Sequence, residues 1–534
     1  MHIFGEIPLS SHKTTLKQQI NVKNDGEKKI KEEEEEEKSS LTTPSVTSLI
    51  LWLRQPNNAL CNVTDTVAEA AYIALCNVTD TVAEAAYIAL CTVTDTVAEA
   101  AYIALCNVID TVAEVTYIAL CNVIHFLAAG FGNFGMNMEI PWGIEEYVKS
   151  HYANGIIMPI AGTAREMKWS STPQRTVGHA LCTLHFSNGE PDPVCTRHTA
   201  LRQIARLDRM GLRVKSAYEM EFMLFEQGDA SRPMGHGRKQ YGNMELLSED
   251  LPFFLDLMDT QRQSRIPVEF FNNEFELGQY EITMEPSYGI DSPDAVFLAR
   301  YGIRAFSRSR GYEATFMARP AYPQAANGFH LNHSLWTEDG RDVFFDASDP
   351  AKLSPFARHW IAGLLQHTPA LCAIVCPTVN CYQRFSAGLA PSTVYWNLDD
   401  RTCTFRAKTS STGAYLENRL PSSACNPYLG LAATIAAGLD GVERQLECPA
   451  PGPPGEGQGA GQGAVPALPK TLSEALDRLE EDSVLTEAVG SKLVSYFLFL
   501  KREFEVKHFR QVVSEDMGAA ETVTKEREFY MPLL

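Results

Sequence analysis

No stretch of this sequence is both apolar and long enough to cross a bilayer. The longest apolar run, around Tyr117 to Gly130, is interrupted by Asn122 and His125 and falls short of the roughly 20 residues a span needs. The amino terminus, Met1 to Gly5, passes straight into Ser, His and Lys without the apolar centre of a secretory signal, so a cytoplasmic location is expected and no membrane partner. Positive charge is scarce: 46 Lys plus Arg face 66 Asp plus Glu, a net charge of -20. That balance excludes a nucleic-acid partner held through its phosphates. A disulfide framework is absent too. Of 13 cysteines, five recur within a repeat and most others sit in apolar surroundings such as Leu371 to Cys376, where buried reduced thiols are expected.

What is present divides unevenly along 534 residues, a length that suits two or three domains. Residues 1–58 carry a block of like charge, Glu32 to Glu37, and read as a disordered, solvated tail. Residues 59–125 repeat a 15-residue unit whose cysteines fall at 61, 76, 91, 106 and 121. Fifteen residues advance a helix by four turns and about 60°, and flip a strand's faces at each copy, so neither form presents one fixed stripe. Asn62-Val63-Thr64 and Asn77-Val78-Thr79 match glycosylation acceptors, incidentally in a cytoplasmic chain.

Beyond the repeat the periodicity becomes regular. Leu201, Ile204, Ala205, Leu207 and Met210 predict a helix that ends at Gly211. Ser292, followed by Pro293, predicts the cap of a second helix running to about Ser307, with Val296, Leu298, Ile303 and Phe306 inward. Residues 449–467 are rich in Pro, Gly and Gln and read as a flexible surface insertion. After it, Thr471 and Glu474 form a capping-box pattern ahead of Leu472, Leu476 and Leu479, and then Leu493, Phe497 and Leu500.

Between these helices lie spaced acids. In the strand Tyr218 to Phe225, Glu219 and Glu221 share one face while Met220 and Phe222 take the other. Glu274 and Glu281 lie an odd number apart, but Gly278 and Gln279 place a turn between them. Asn-Gly-Phe-His-Leu-Asn puts His330 and Asn332 on one side, and Glu417 and Arg419 are related in the same way. Singly, each acid reads as a surface residue at a strand edge. Together, five carboxylates and one imidazole suit a hard divalent cation. A His330/His333 zinc pair would need a helix, whereas Gly328 and Ser-Leu-Trp favour a strand with the two rings on opposite sides.

In order, Glu-x-Glu, Glu-x-x-x-Gly-Gln-x-Glu, Gly-x-His-x-Asn and Glu-x-Arg-x-Pro ahead of Asn-Pro-Tyr-Leu resemble the catalytic domain of class I glutamine synthetases, from about Thr163 onward. The resemblance implies an α+β fold, a curved antiparallel sheet with flanking helices over residues 186–534, preceded by a partial β-grasp-like segment at 126–185. It implies two Mg²⁺ or Mn²⁺ ions, one on Glu221, Glu274 and Glu281 and the other on Glu219, His330 and Glu417. ATP is implied as the phosphoryl donor, with Arg401 and Arg406 near its phosphates. Arg384 and Arg419 would meet the amino-acid carboxylate and the transferring phosphoryl group, with Gly328 and His330 lining the substrate. Arg384 and Arg406 would carry the catalytic charge, glutamate and ammonia would be the substrates, and the chain would form stacked rings, a dodecamer-like homo-oligomer.

Three departures stand beside it. The flap stretch Arg384 to Pro391 contains no acid to take a proton from ammonium. No Asp-x-x-Gly-x-x-Arg-like pattern is found in the amino-terminal segment, and Ala325-Ala326-Asn327-Gly328 replaces the family's Asn-Gly-Ser-Gly. Two readings follow, a carboxylate-amine ligase and a non-catalytic assembly protein on the same fold.

Overall fold

A computed structural model describes residues 156–534 apart from 187, 236–240, 243, 324–325, 387–389, 454–466 and 515. The acidic tail, the repeats, residues 126–155 and most of the Pro/Gly-rich insertion therefore lie outside the described residues.

Residues 156–185 form two small antiparallel pairs: β1 (Ile156–Pro159) with β4 (Cys182–His185), and β2 (Arg165–Glu166) with β3 (Gly178–His179). Helix α1 (Thr196–Asp208) then leads to β5 (Leu212–Glu226), the longest strand of a ten-stranded sheet. The remaining elements follow in order. These are β6 (Asp229–Pro233), α2 (Met244–Gln263), β7 (Val268–Asn273), β8 (Gln279–Met284), β9 (Ser287–Tyr288), α3 (Asp291–Ser309), β10 (Tyr312–Thr315), β11 (Phe329–Thr337), α4 (Pro355–Val375), β12 (Trp396–Leu398), β13 (Phe405–Thr409), β14 (Ala414–Asn418), α5 (Pro427–Glu443), α6 (Leu472–Glu481), α7 (Ser483–Val489), α8 (Ser491–Leu500), α9 (Lys507–Val512) and α10 (Ala519–Tyr530).

The sheet runs β12-β13-β14-β11-β5-β8-β7, with β6, β9 and β10 also pairing with β5. Its pairs are antiparallel except β12 with β13. The expected antiparallel sheet is thus mixed at one edge, where the link after β12 doubles back through Asp399 at φ +49 and a turn braced by Asp400.

The period-2 pattern sorts the two faces. Tyr218, Met220, Phe222 and Leu224 of β5, Phe329, Leu331 and Leu335 of β11, and Ile282 of β8 are all buried on the core side. His333 sits on that side as well, accepting a hydrogen bond from Trp360 Nε1 of α4 at 3.0 Å. Burial holds its ring at a pKa of about 4, hence neutral, so His333 is a packed core histidine turned away from His330.

Two helix expectations are corrected. In α1 the buried positions are Thr196, Thr199, Ala200, Gln203 and Leu207, while Met210 is exposed. The buried face is rotated because Gln203 Nε2 and Arg202 donate to the carbonyls of Ala488 and Val489 at 2.8 Å, docking a polar face on α7. Helix α3 begins at Asp291, so Ser292 lies inside the first turn and is not the cap. Pro293 is tolerated there because first-turn N–H groups have no intrahelical partner anyway. Val296, Leu298, Ile303 and Phe306 are buried as expected. At α6, Thr471 Oγ1 accepts from Glu474 N–H at 3.2 Å, and the Glu474 carboxylate accepts from Lys470 N–H at 2.8 Å, one residue before the usual partner. Among the described residues no single helix is long and apolar enough to cross a membrane.

Candidate active site

The face of the sheet opposite the core carries the acids, and cross-strand register brings them together. His330 of β11 lies directly opposite Glu219 of β5, and Glu221 opposite Glu281 of β8. Across the sheet, Glu417 of β14 faces Asn332 of β11 on one side and Arg406 of β13 on the other. Directly opposed positions in such ladders are close enough for their side chains to interact. The hairpin joining Glu274 to Glu281 turns at Gly278, φ +75, where a Cβ would come within 2.7 Å of the Leu224 carbonyl.

Glu219, Glu281 and His330 offer ligand atoms that all lie within 4.8 Å of one another. Glu219 accepts from Asn332 Nδ2 at 2.9 Å and pairs with His330 Nδ1 at 3.0 Å. Burial pushes its carboxyl up, but the hydrogen bond and charge of His330, with help from Asn332, more than offset this and leave it at about 2. Glu281 and Glu274 shift the opposite way. Burial, then the charge of Glu219, Glu221, Glu274 and Glu417, pushes Glu281 to about 9. Burial and Glu221 push Glu274 to about 8, although Asn272 Nδ2 donates to it at 3.0 Å. These acids cannot all be ionised without a counter-charge. An oxygen-rich set with one imidazole fits a hard divalent ion.

The remaining predicted residues frame this cluster. Glu221 Oε2 accepts from Gly328 N–H at 2.8 Å and Gln279 Nε2 at 3.4 Å. A Cβ at Gly328 would lie 2.9 Å from Arg384 Nη2, 2.9 Å from His330 Nε2 and 3.0 Å from Glu221 Oε1, so Gly328 is the floor on which these three meet. Arg384 is buried and donates to the carbonyls of Leu420 at 2.9 Å and Arg419 at 3.0 Å. Glu417 is gripped by Arg406 at 2.9 Å and by Arg419, and lies 3.5 Å from His330 Nδ1. The Nε–H groups of Arg384, Arg406 and Arg419 are buried without a hydrogen-bond partner among the described residues, a donor-rich lining suited to anionic oxygen. Arg401 is exposed, and its charge acts on Asp399 and Glu274.

Residues 193–518 match the family model described as glutamine synthetase, catalytic domain. The chain belongs to the glutamine synthetase family. It is similar to lengsin of Canis lupus familiaris, 32% identical over 357 residues, covering 65% of this chain and 60% of that protein. It is also similar to glutamine synthetase of Halobacterium salinarum, 30% identical over 386 residues, covering 70% of this chain and 84% of the relative. Among solved structures, a novel glutamine synthase homolog superposes with a TM-score of 0.62 at 25% identity, covering 73% of this chain and 86% of that one. A GmaS/ADP complex superposes with a TM-score of 0.60 at 27% identity, covering 68% and 84%. The chain thus spans only about 60% of the length of the dog lengsin it matches.

This glutamine synthetase-like face also carries an aromatic pair that no sequence pattern marks. Tyr241 stacks on Phe275 with ring centres 5.0 Å apart, and its phenol is pushed up by burial and then by the charges of Glu274 and Glu281. It therefore borders the acid cluster. An aromatic in an isolated Gln-Tyr-Gly has no period to mark it.

Proposed function

We propose that this face is an ATP-dependent carboxylate-amine ligase site of the glutamine synthetase type, acting on glutamate and ammonia. The observation that carries the reading is the convergence of Glu219, Glu281 and His330 beside the buried arginines Arg384, Arg406 and Arg419. Glu219, Glu281 and His330, with Glu221, Glu274 and Glu417 around them, would hold Mg²⁺ or Mn²⁺. Cations held by these residues would supply positive charge opposite the oxygens of a phosphoryl group in transfer. Arg384 and Arg419 bind anionic oxygen of the acid substrate, and Arg401 and Arg406 face the nucleotide phosphates. Since the guanidinium groups of Arg384, Arg406 and Arg419 are each braced by a carbonyl or a carboxylate, their charge is fixed in place before a ligand arrives, which suits electrostatic stabilisation. Family-like stacked rings complete the proposal, and a monomer by light scattering would count against them.

A second reading is favoured by one observation: Arg384 to Pro391 contains no acid, so no flap carboxylate takes the ammonium proton. On that reading the chain is a non-catalytic, lengsin-like assembly protein that still binds nucleotide and metal. The deciding experiment measures phosphate release and γ-glutamyl transfer with glutamate, ammonium and Mg²⁺ or Mn²⁺. Turnover that disappears in Glu281→Ala establishes the ligase, whereas Mn-ATP binding without turnover establishes the second reading.

Gly328→Ala tests the geometry separately. The backbone there needs no unusual φ, so the fold should persist, but the added methyl must displace Arg384, His330 or Glu221. Mn²⁺ binding followed by calorimetry should weaken by about tenfold or more, since shifts of an ångström at a positioned site have effects of that order. Unchanged affinity would remove Gly328 from the site.

A further inference from the structure

Arg384 is delivered by the short 3-10 segment Val379–Ser386, and two buried carboxylates from the carboxy-terminal helices hold that segment from beneath. Glu505 lies in the π-helical turn Lys501–Val506, pairs with Lys501 at 2.5 Å and accepts from Val379 N–H at 3.0 Å. Tyr530 Oη donates to the same carboxylate. Glu526 of α10 accepts from Asn380 Nδ2 at 2.7 Å and from Gln383 Nε2 at 3.4 Å. Asn380 is itself wholly buried, and its side-chain amide exchanges bonds with the Arg319 main chain at 2.7 and 2.9 Å. The Arg319 guanidinium returns to the segment, donating to Gln383 O at 3.1 Å and Ser386 Oγ at 3.3 Å.

Among the described residues, the hydrogen bonds of the Glu526 side chain thus land on the segment that carries Arg384: on its chain neighbour Gln383, and on Asn380 four residues before it. A carboxyl buried this deeply is costly, and an apolar side chain would fill the space with less penalty. Stability alone is a poor account of it. We propose that Glu526 is a positioning residue, bridging Asn380 and Gln383 so that the turn carrying Arg384 aims its guanidinium at the Gly328 floor. The proposal rests on the ligase-site reading for what Arg384 does, but not for how Arg384 is held.

The test compares Glu526→Leu, which removes both acceptors, with Glu526→Gln, which keeps one. Hydrogen exchange is followed at residues 380–386 and at β11, and the affinities for Mg-ADP and for glutamate with Mg-ADP present are measured by calorimetry. For Glu526→Leu, exchange at 380–386 should quicken by about tenfold while β11 is unchanged, and glutamate should bind about tenfold more weakly with Mg-ADP affinity retained within about twofold. Glu526→Gln should stay close to the parent. Unchanged exchange in Glu526→Leu, or an equal loss of both affinities, overturns the proposal. A parent protein that binds neither ligand ends the ligase reading instead, and exchange alone then decides the positioning role. If Glu526→Leu does not fold, Gln383→Ala removes half the bridge from a partly exposed side chain and is read in the same way, with a smaller acceleration.

Discussion

The metal-free protein is expected to lose stability steadily as pH rises from 6 to 9, and saturating Mn²⁺ is expected to remove that loss. Glu274 and Glu281 keep their protons to about 8 and about 9 in the fold, against an ordinary value of 4.5. An acid whose folded pKa lies above its unfolded one holds a proton that the unfolded chain has already released. Stability is then greatest below 4.5 and falls until the folded group ionises. The slope approaches about 1.4 kcal/mol per pH unit for each such group. Two groups make the loss about 6 kcal/mol between pH 6 and 9, a large share of a typical domain's 5 to 15 kcal/mol. Glu219 works in the opposite sense, because its carboxyl sits at about 2, and its contribution disappears only in acid. Denaturation midpoints in EDTA across this range check the expectation. Glu281→Gln should show roughly half the slope and should be more stable than the parent at pH 9. A flat pH profile, or an equal slope in the variant, would show that these acids do not share a buried cluster.

That cluster was only half legible in the residue order. Alternation along β5 is a local property, so Glu219 and Glu221 on one face and Met220 and Phe222 on the other follow from the residues themselves, as do His330 with Asn332 and the turn at Gly278. Register between strands is not local. Glu221 opposite Glu281, and His330 opposite Glu219, depend on pairings across about 60 and 110 residues of chain, which no short-range pattern encodes. The resemblance divides the five acids and His330 into two sets of three, whereas the cluster of Glu219, Glu281 and His330 among the described residues draws from both. The helix errors have a related origin: apolar spacing placed the face of α1, but Thr199 and Gln203 are buried against α7 by hydrogen bonds that hydrophobic periodicity does not see. Ser292 satisfied the cap pattern, yet the helix starts earlier because Asp291 and Asp294 both complement its positive end.

Replacing Glu417 by alanine is expected to destabilise the metal-free protein by about 3 to 5 kcal/mol, the usual cost of breaking a buried ion pair from one side. Only 1% of Glu417 is exposed, and its two oxygens neutralise Arg406 and Arg419 while lying close to His330. Its removal leaves Arg419 without its carboxylate and Arg406 with only the exposed Asp399, and the Nε–H groups of both already lack partners among the described residues. This separates Glu417 from Glu281, although the two are close enough for the charge of Glu417 to act on Glu281. Replacing Glu281 by glutamine removes the cost of holding its carboxyl protonated in the fold and stabilises the metal-free protein, while loss of Glu417 exposes positive charge to a low-dielectric interior and weakens it. Urea denaturation in EDTA near pH 7.5 checks the sign directly. Combining Glu417→Ala with Arg406→Met should recover part of the loss, because the stranded charge is then gone as well. Were Glu417 a metal ligand and nothing more, alanine would leave the metal-free midpoint unchanged and its effect would emerge only on adding Mn²⁺. The arginine grip argues for the opposite order: a framework charge first, with any cation binding beside it.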